Sequence, residues 1–518
     1  MPTGIHHVTG ITRRVQANVD FYTGFLGLRL VKRTGGFEDA EQLHLFYGDA
    51  LGSPGSLVSF LVWEDGAPGR VGLGQVSEIA FAVPPASIGD WLTRAMTARV
   101  PVEGPMRELG ETVLRLKDPD GVIVKLVGVD LPATAPLPDP IAPTRLRGVT
   151  LLTEMPEETA AFITRFGYRP GTAEGSVRRL VSDRDAIDIR DATGFFPGIP
   201  GTGILDHVAF RAAEADAVRA MRLALKGTDV TSVHDRKYFL SLYVREPGNT
   251  LLEYATDAPG FTVDEAPEDL GRTLFVPPHD AARADDLRVI LPQFALPGEE
   301  RHPMRDLHFT HRFHHPEQPD GSTLVLLHGT GGDETQLMGL AARMAPQATL
   351  LGVRGRSTEE GINRWFRRLD MMRFDQADIL AEAEAFRAFL AEAVRAYGLD
   401  PQRVTLVGYS NGANLIGALA QLHPAEAGAA ILLRGMQVLD APPRLAPEAL
   451  ASARVLMLNG KTDPYGAGAP PLEAALRAGG ADLTVRSLPS GHELTAQDVR
   501  EAQDWLRAAS ARPGQPVA

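Results

Sequence analysis

The chain of 518 residues contains no cysteine. That absence removes disulfides, thiolate zinc sites, iron–sulfur clusters and a cysteine nucleophile, so any metal must be held by imidazole and carboxylate. Basic charge is also short: 52 Lys and Arg against 65 Asp and Glu leave a formal net charge of -13. Without a basic face, nonspecific nucleic-acid binding is disfavoured. No run of about 18 apolar residues occurs, so no membrane span is expected. The opening stretch, MPTGIHHVTGITRRV, lacks a basic start followed by an apolar core and does not read as a signal peptide. The expectation is a soluble, cytoplasmic protein with small-molecule partners, no nucleic acid, no membrane, and homo-oligomerisation left open. What is present is an ordinary globular composition, 44% hydrophobic and 23% charged. At roughly 150 residues per domain the length suggests about three domains.

The first half repeats itself. GIHHVTG (4–10) matches RLRGVTL (145–151), SEIAFAV (77–83) matches DHVAFRA (206–212), and DPDGVIVKLV (118–127) matches EPGNTLLEYA (246–255). The spacing is kept: Glu78 to Lys125 is 47 residues and His207 to Glu253 is 46. Each copy of about 130 residues reads as a strand, a helix and further short strands. The Pro-rich segment 130–145 reads as the linker between copies. The expected boundaries are a first βαβββ module at 1–130, a second at 145–293 with a C-terminal extension, a linker at 294–304 and an α/β unit at 305–518.

Where one copy has His7 the other has Gly148, and where one has His207 and Glu253 the other has Glu78 and Lys125. If an element of each copy completes the other's site, two three-residue sites result. His7, His207 and Glu253 form the two-His, one-carboxylate set of non-haem Fe(II), with Mn(II) as the alternative ion and O2 as co-substrate. Gly148, Glu78 and Lys125 cannot hold such a metal, and the Lys and Glu are expected to pair. His6 and His7 are adjacent, and neighbours on a strand face opposite sides. Alternation alone does not say which of the two is the ligand.

From about residue 305 short apolar strands alternate with long helical patterns, the grammar of a parallel sheet covered on both faces. GYSNG (408–412) follows the strand RVTLV and precedes a helix, the context a nucleophile elbow requires. Ser410 is the expected nucleophile. Asp463 and His492, each just after a late strand, complete the order Ser, Asp, His. Backbone N–H groups of Thr330, in HGTGGDE, and of Asn411 are the expected oxyanion hole. Trp365 and Phe366 either line an acyl pocket or pack beneath a loop. His308, His311, His314 and His315 crowd one stretch, but their apolar alternation reads as a strand and not as a metal site.

Residues 4–293 resemble the vicinal oxygen chelate superfamily, and within it the ring-cleaving dioxygenases of para-hydroquinones. HHVT, YGD followed by GSPGS, DRKYFLSLYVREPGNTLLEYATD and LFVPP carry the likeness. The resemblance implies paired βαβββ modules forming a metal cup, His7 as the ligand of the HHV pair, and His207 and Glu253 as the others. It also implies places around the metal for His6, Thr9, Arg236 and Tyr243, and oxygen insertion beside the hydroxyl-bearing carbon; His6, Arg236 and Tyr243 are the expected catalytic groups for proton transfer and for holding developing anionic charge. A structural ion pair with Asp235 is the competing role for Arg236, and a core position that for Tyr243. Asp206 stands where relatives often carry a further His, a departure at an acid–base position. Residues 305–510 resemble carboxylesterases and phospholipase-like esterases of the α/β-hydrolase fold. The expected protein is thus a bifunctional dioxygenase, acting on hydroquinone- or catechol-type rings, fused to a serine carboxylesterase. The competing readings are a glyoxalase-like isomerase or thiol transferase, and a non-catalytic aromatic-binding module that regulates the hydrolase.

Overall fold

The structure, a computed structural model, describes residues 3–132, 134–370 and 372–510. The described chain divides into two compact units: Met1–Ala282 with Gln293–Arg301, and Arg283–Pro292 with His302–Ala518. No helix among the described residues is long and apolar enough to cross a membrane.

The first unit repeats one motif four times, a finer repeat than the two copies legible in the sequence. A strand, a helix and three more strands occur from Ile5–Thr12 to Leu57–Val62, and again from Gln75–Val83 to Ile123–Gly128. The third motif runs from Arg145–Thr153 to Ala186–Asp191, the fourth from Leu205–Ala212 to Leu251–Pro259. In each, the first and last strands pair in parallel. The helices lie on the sheet through one apolar stripe. Helix Ile88–Ala98 buries Ile88, Trp91 and Ala95 at helical spacing and stops where Arg99 turns left-handed. Each such large apolar side chain contributes about 1.5–3 kcal/mol when buried.

The motifs do not close their cups within a copy. Strand Ile5–Thr12 pairs antiparallel with Leu205–Ala212, and Gln75–Val83 pairs with Arg145–Thr153. The first motif therefore shares a cup with the fourth, and the second with the third. In the second cup every carboxylate has a cation. Glu78 pairs with Lys125 and Arg115, both at 2.9 Å. Glu111 meets Arg147 and Arg179, and Arg179 also holds Asp188. A side chain at Gly148 would place its Cβ 2.3 Å from the Ala186 carbonyl oxygen, so no imidazole fits there.

The second unit is a seven-stranded sheet in the order His311–His314, Thr349–Val353, Thr323–Leu327, Val404–Tyr409, Ala429–Leu433, Arg454–Gly460 and Asp482–Leu488. The first strand is antiparallel to its neighbour and the remaining pairs are parallel. Cores lie on both faces, one containing Phe386, Phe389 and Leu472, the other Met338, Leu456 and Trp505. Helix Gln376–Tyr397 shows how the sequence builds this layer. The Asp375 carboxylate caps it by accepting from the N–H groups of Ala377 and Asp378, its buried stripe is Ile379, Ala383, Phe386, Phe389 and Ala393, and left-handed Gly398 ends it. Helix Ala284–Ile290, expected within the extension of the second module, belongs to this unit. Val289 joins its core and Asp286 pairs with Arg343. The crowded histidines fall on the first strand and its approach, where His311 bonds Tyr397 at 2.7 Å.

One buried ion pair ties the segments at one end of this sheet together. Arg434 and Asp498 are both fully buried, with Nη1 2.7 Å from Oδ1 and Nη2 3.0 Å from Oδ2. Arg434 also donates to the carbonyls of Leu458, Gly491 and Glu493 and to the Ser490 hydroxyl. Removing one partner of such a pair strands the other charge. Arg434→Met is expected to destabilise the second unit by about 3–5 kcal/mol, read as an earlier unfolding transition in urea; an unchanged midpoint would contradict the structural role.

Candidate active sites

The first site grows from three adjacent strands. His7 lies on Ile5–Thr12, His207 on Leu205–Ala212 and Glu253 on Leu251–Pro259. His7 and Glu253 both stand opposite Ala209, one on each side of the central strand. Pairing register alone thus gathers ligands far apart in sequence. The Nε2 atoms of His7 and His207 each lie 3.0 Å from Glu253 Oε2. Ligand atoms of all three fall within 4.8 Å of one another, the one such group found among the described residues.

This donor set fits a metal ion. Glu253 is wholly buried, and neither of its carboxylate oxygens nor His207 Nε2 has a hydrogen-bond partner. A buried carboxylate without donors is costly unless a cation completes it. Burial opposes ionisation of Glu253, yet the imidazoles of His7 and His207 hold it well below the usual carboxylate range. Burial likewise opposes charge on His207, while its hydrogen bond to Asp206 and the nearby Glu253 raise it to about 9. Metal binding at neutral pH then displaces that proton.

The residues around the triad fall into two groups. His6 and Asp206 brace ligands: His6 Nδ1 lies 2.9 Å from His7 Nδ1, and Asp206 Oδ2 lies 2.7 Å from His207 Nδ1. Adjacent strand residues ordinarily diverge, but the pairing of this strand shifts register between Ile5 and His7, where the two imidazoles meet. Burial first and His7 second push His6 down to about 3. The other group lines a cavity of about 240 Å³ with His7 and His207: Thr9, Arg236, Tyr243, His44 and the Phe239 ring. Arg236 pairs with Glu38 at 2.9 Å, while Asp235 accepts the backbone N–H of Lys237. Tyr243 sets its ring edge-on to His207 at 5.4 Å, and burial, then Glu253, push its hydroxyl well up. His44 is the residue the sequence reading missed. Its Nε2 meets Ser59 Oγ at 3.0 Å, and Ser59 meets Thr9 at 2.9 Å. Its place in LHLFYGD, alternating with Leu43 and Leu45, was the available signal.

The second site is built on the end of Val404–Tyr409. Ser410 has φ 51° and ψ -112°, and helix Asn411–Leu422 begins directly after it. A side chain at Gly412 would meet the Leu327 carbonyl oxygen at 2.2 Å, which explains the second glycine of the motif. Ser410 Oγ lies 2.9 Å from His492 Nε2, and His492 Nδ1 lies 2.9 Å from Asp463 Oδ2. Thr330 and Asn411 line the same cavity, of about 250 Å³, as Ser410 and His492. Asn411, as the first helical residue, presents one of the N–H groups that a helix leaves without an internal acceptor. Trp365 and Phe366 are wholly buried and take the packing role. Trp365 donates from its backbone to Asn411 Oδ1 and from its indole to the His328 carbonyl. Arg364 and Arg368 line the cavity instead.

Comparison with known proteins agrees with this division. Residues 4–126 match the Glyoxalase/Bleomycin resistance protein/Dioxygenase superfamily, and residues 310–510 match the Phospholipase/Carboxylesterase family. "Putative ring-cleaving dioxygenase MhqO" of Bacillus subtilis is 34% identical over 308 residues, covering 58% of this chain and 97% of the relative. "Chlorohydroquinone/hydroquinone 1,2-dioxygenase" of Sphingobium indicum is 32% identical over 303 residues, covering 55% and 94% respectively. "Putative hydrolase MhqD" of Bacillus subtilis is 34% identical over 196 residues, covering 36% of this chain and 94% of its own.

The triad geometry makes a metal-content prediction. His7→Ala and Glu253→Ala are expected to abolish stoichiometric metal by elemental analysis. His6→Ala, which removes only a brace, should weaken affinity by about 10–100-fold while retaining the site. Loss of metal in His6→Ala alone would exchange the roles of the two neighbours.

Proposed function

Because the chain belongs to the glyoxalase/bleomycin resistance protein/dioxygenase superfamily through its first half and to the phospholipase/carboxylesterase family through its second, we propose a bifunctional enzyme. Its first unit is a ring-cleaving dioxygenase for hydroquinone-type aromatics, with Fe(II) held by His7, His207 and Glu253. Its second is a serine carboxylesterase acting through Ser410, His492 and Asp463. The observation that carries the first assignment is the buried carboxylate Glu253 without a hydrogen-bond donor, facing two imidazoles at 3.0 Å. The donor set is that of non-haem iron, and a relative of the same unit is named for hydroquinone cleavage.

His7, His207 and Glu253 would hold the iron, which would supply electron transfer between a bound phenolate and dioxygen. The chain's own residues supply the rest. Phe239 and Phe37 flank a cavity of about 240 Å³, below the range of drug-sized pockets and suited to a single ring. The Arg236 guanidinium, over the Tyr243 ring at 5.9 Å, offers positive charge to the deprotonated hydroxyl. Tyr243 keeps its proton and can donate it as a hydrogen bond. His44 and Thr9, joined through Ser59, offer a second polar wall for the other hydroxyl. His6 and Asp206 orient the rings of His7 and His207, and Asp206 also lines the cavity.

In the hydrolase, His492 takes the proton of Ser410 as its Oγ attacks the ester carbonyl, and Asp463 orients the imidazole and balances its charge. The N–H groups of Thr330 and Asn411 receive the developing oxyanion. The alkoxide leaves with the proton from His492, and water then releases the acyl group by the same path.

Two measurements test these assignments. Protein loaded anaerobically with Fe(II) is expected to take up one O2 per hydroquinone and give a ring-opened product heavier by one O2. Stoichiometric zinc with no oxygen uptake would sink the dioxygenase assignment. Ser410→Ala should lower hydrolysis of 4-nitrophenyl acetate by at least about 1,000-fold and leave oxygen uptake intact. Loss of both activities would contradict two independent sites.

A further inference from the structure

The cavity in front of Ser410 is cationic in a way the triad does not use. Three of its lining side chains, Arg364, Arg368 and Arg434, carry positive charge, and no Asp or Glu is among the residues that line it. Arg434 is neutralised by Asp498 in the fully buried pair described above. Arg364 is different. Its side chain retains 9% exposure, yet its Nε has no hydrogen-bond partner. Nη1 donates to the Glu359 carbonyl at 3.3 Å, and Nη2 reaches a long ion pair of 3.5 Å with Glu360, itself 78% exposed. The neighbouring carboxylate of Glu359 is engaged by Arg367. Arg368, on the same wall, gives its Nε to the Asp370 carbonyl.

A guanidinium this deeply placed normally has its charge completed by a close carboxylate. We propose that the hydrolase acts on esters bearing a free carboxylate, which Arg364 receives at the wall of the Ser410 cavity, with Arg368 adding to the field. The planar fork of arginine suits a carboxylate through two parallel hydrogen bonds. The backbone holds the group in place: Arg364 pairs with Ser357 in both directions, and the following residue, Trp365, is locked to Asn411 beside the nucleophile. The cavity volume of about 250 Å³ limits the acyl group to a short chain. This inference rests on the serine-esterase reading and adds its substrate class. The substrate must then come from a reaction that leaves an ester and a carboxylate on one small molecule.

The test uses the full-length protein with two chromogenic esters of matched length, 4-nitrophenyl butyrate and mono-4-nitrophenyl glutarate. The wild type is expected to favour the glutarate by at least tenfold in kcat/KM. Arg364→Met should erase most of that preference, chiefly through KM for the anionic ester. Arg364→Lys should restore part of it, because charge returns without the fork. Equal rates on the two esters in the wild type, or an equal fall on both in Arg364→Met, would overturn the inference while leaving the esterase assignment standing. Hydrolysis of neither ester by the wild type would overturn both.

Discussion

The pairing of strand Ile5–Thr12 with Leu205–Ala212 is the constraint on which the first unit's chemistry depends. It joins the first motif of the chain to the fourth, and only in that register does His7 come to share a carboxylate with His207. The same exchange builds the other cup from the second and third motifs, with the opposite electrostatic result. There, Glu78 is answered by Lys125 and Arg115, and Glu111 by two arginines. In the first cup Glu253 is faced instead by the imidazoles of His7 and His207. Two cups with one backbone plan therefore differ in whether their charge is completed internally. The paired cup is a structural joint, and the unpaired one is a place for an ion.

The hydrolase meets a different constraint, which is strain. Ser410 holds a positive φ that a β-carbon disfavours, and the conformation persists because its surroundings over-determine it. The Ser410 N–H is bonded to the Leu433 carbonyl, and its own carbonyl accepts from Asn414. On the other side of the cavity, Arg434 binds the carbonyls of Gly491 and Glu493, the residues that flank His492. His492 is thus held by an arginine that never touches it. Ser410 and His492 sit on separate segments, and the ends of the sheet set the 2.9 Å between them.

Features with a local physical signature were legible in the sequence. The GYSNG turn between a strand and a helix, the order of Ser410, Asp463 and His492, and the exchange of Lys125 for Glu253 between copies all follow from residue type and spacing. What was not legible depends on which distant segments pack together. The division of each copy into two motifs is one case, because strand length and helix position recur while residue types do not. His44 reads as one polar position in an alternating strand until the barrel closes over it. Asp206 reads as a missing imidazole, and only its 2.7 Å contact shows it orienting His207. Trp365 looked equally suited to pocket and core, and its indole bond to the His328 carbonyl settles its place in the core.

Both cavities are marked by the same departure from ordinary protein electrostatics. Two other buried cations of this chain are completed from within, Arg434 by Asp498 and Lys32 by Asp264 and Glu265. Such pairs contribute little net stability, because desolvation offsets their attraction, but leaving one half out is expensive. At Glu253 a buried carboxylate without hydrogen bonds faces two imidazoles, and at Arg364 a cation is buried with its Nε unsatisfied. Both groups lie in or beside cavities next to side chains capable of chemistry, which leaves room for what completes them. The missing partner at the first has the charge of a metal ion, and at the second that of an anionic substrate. The absence of cysteine fits this division, since imidazole, carboxylate, hydroxyl and guanidinium suffice for both.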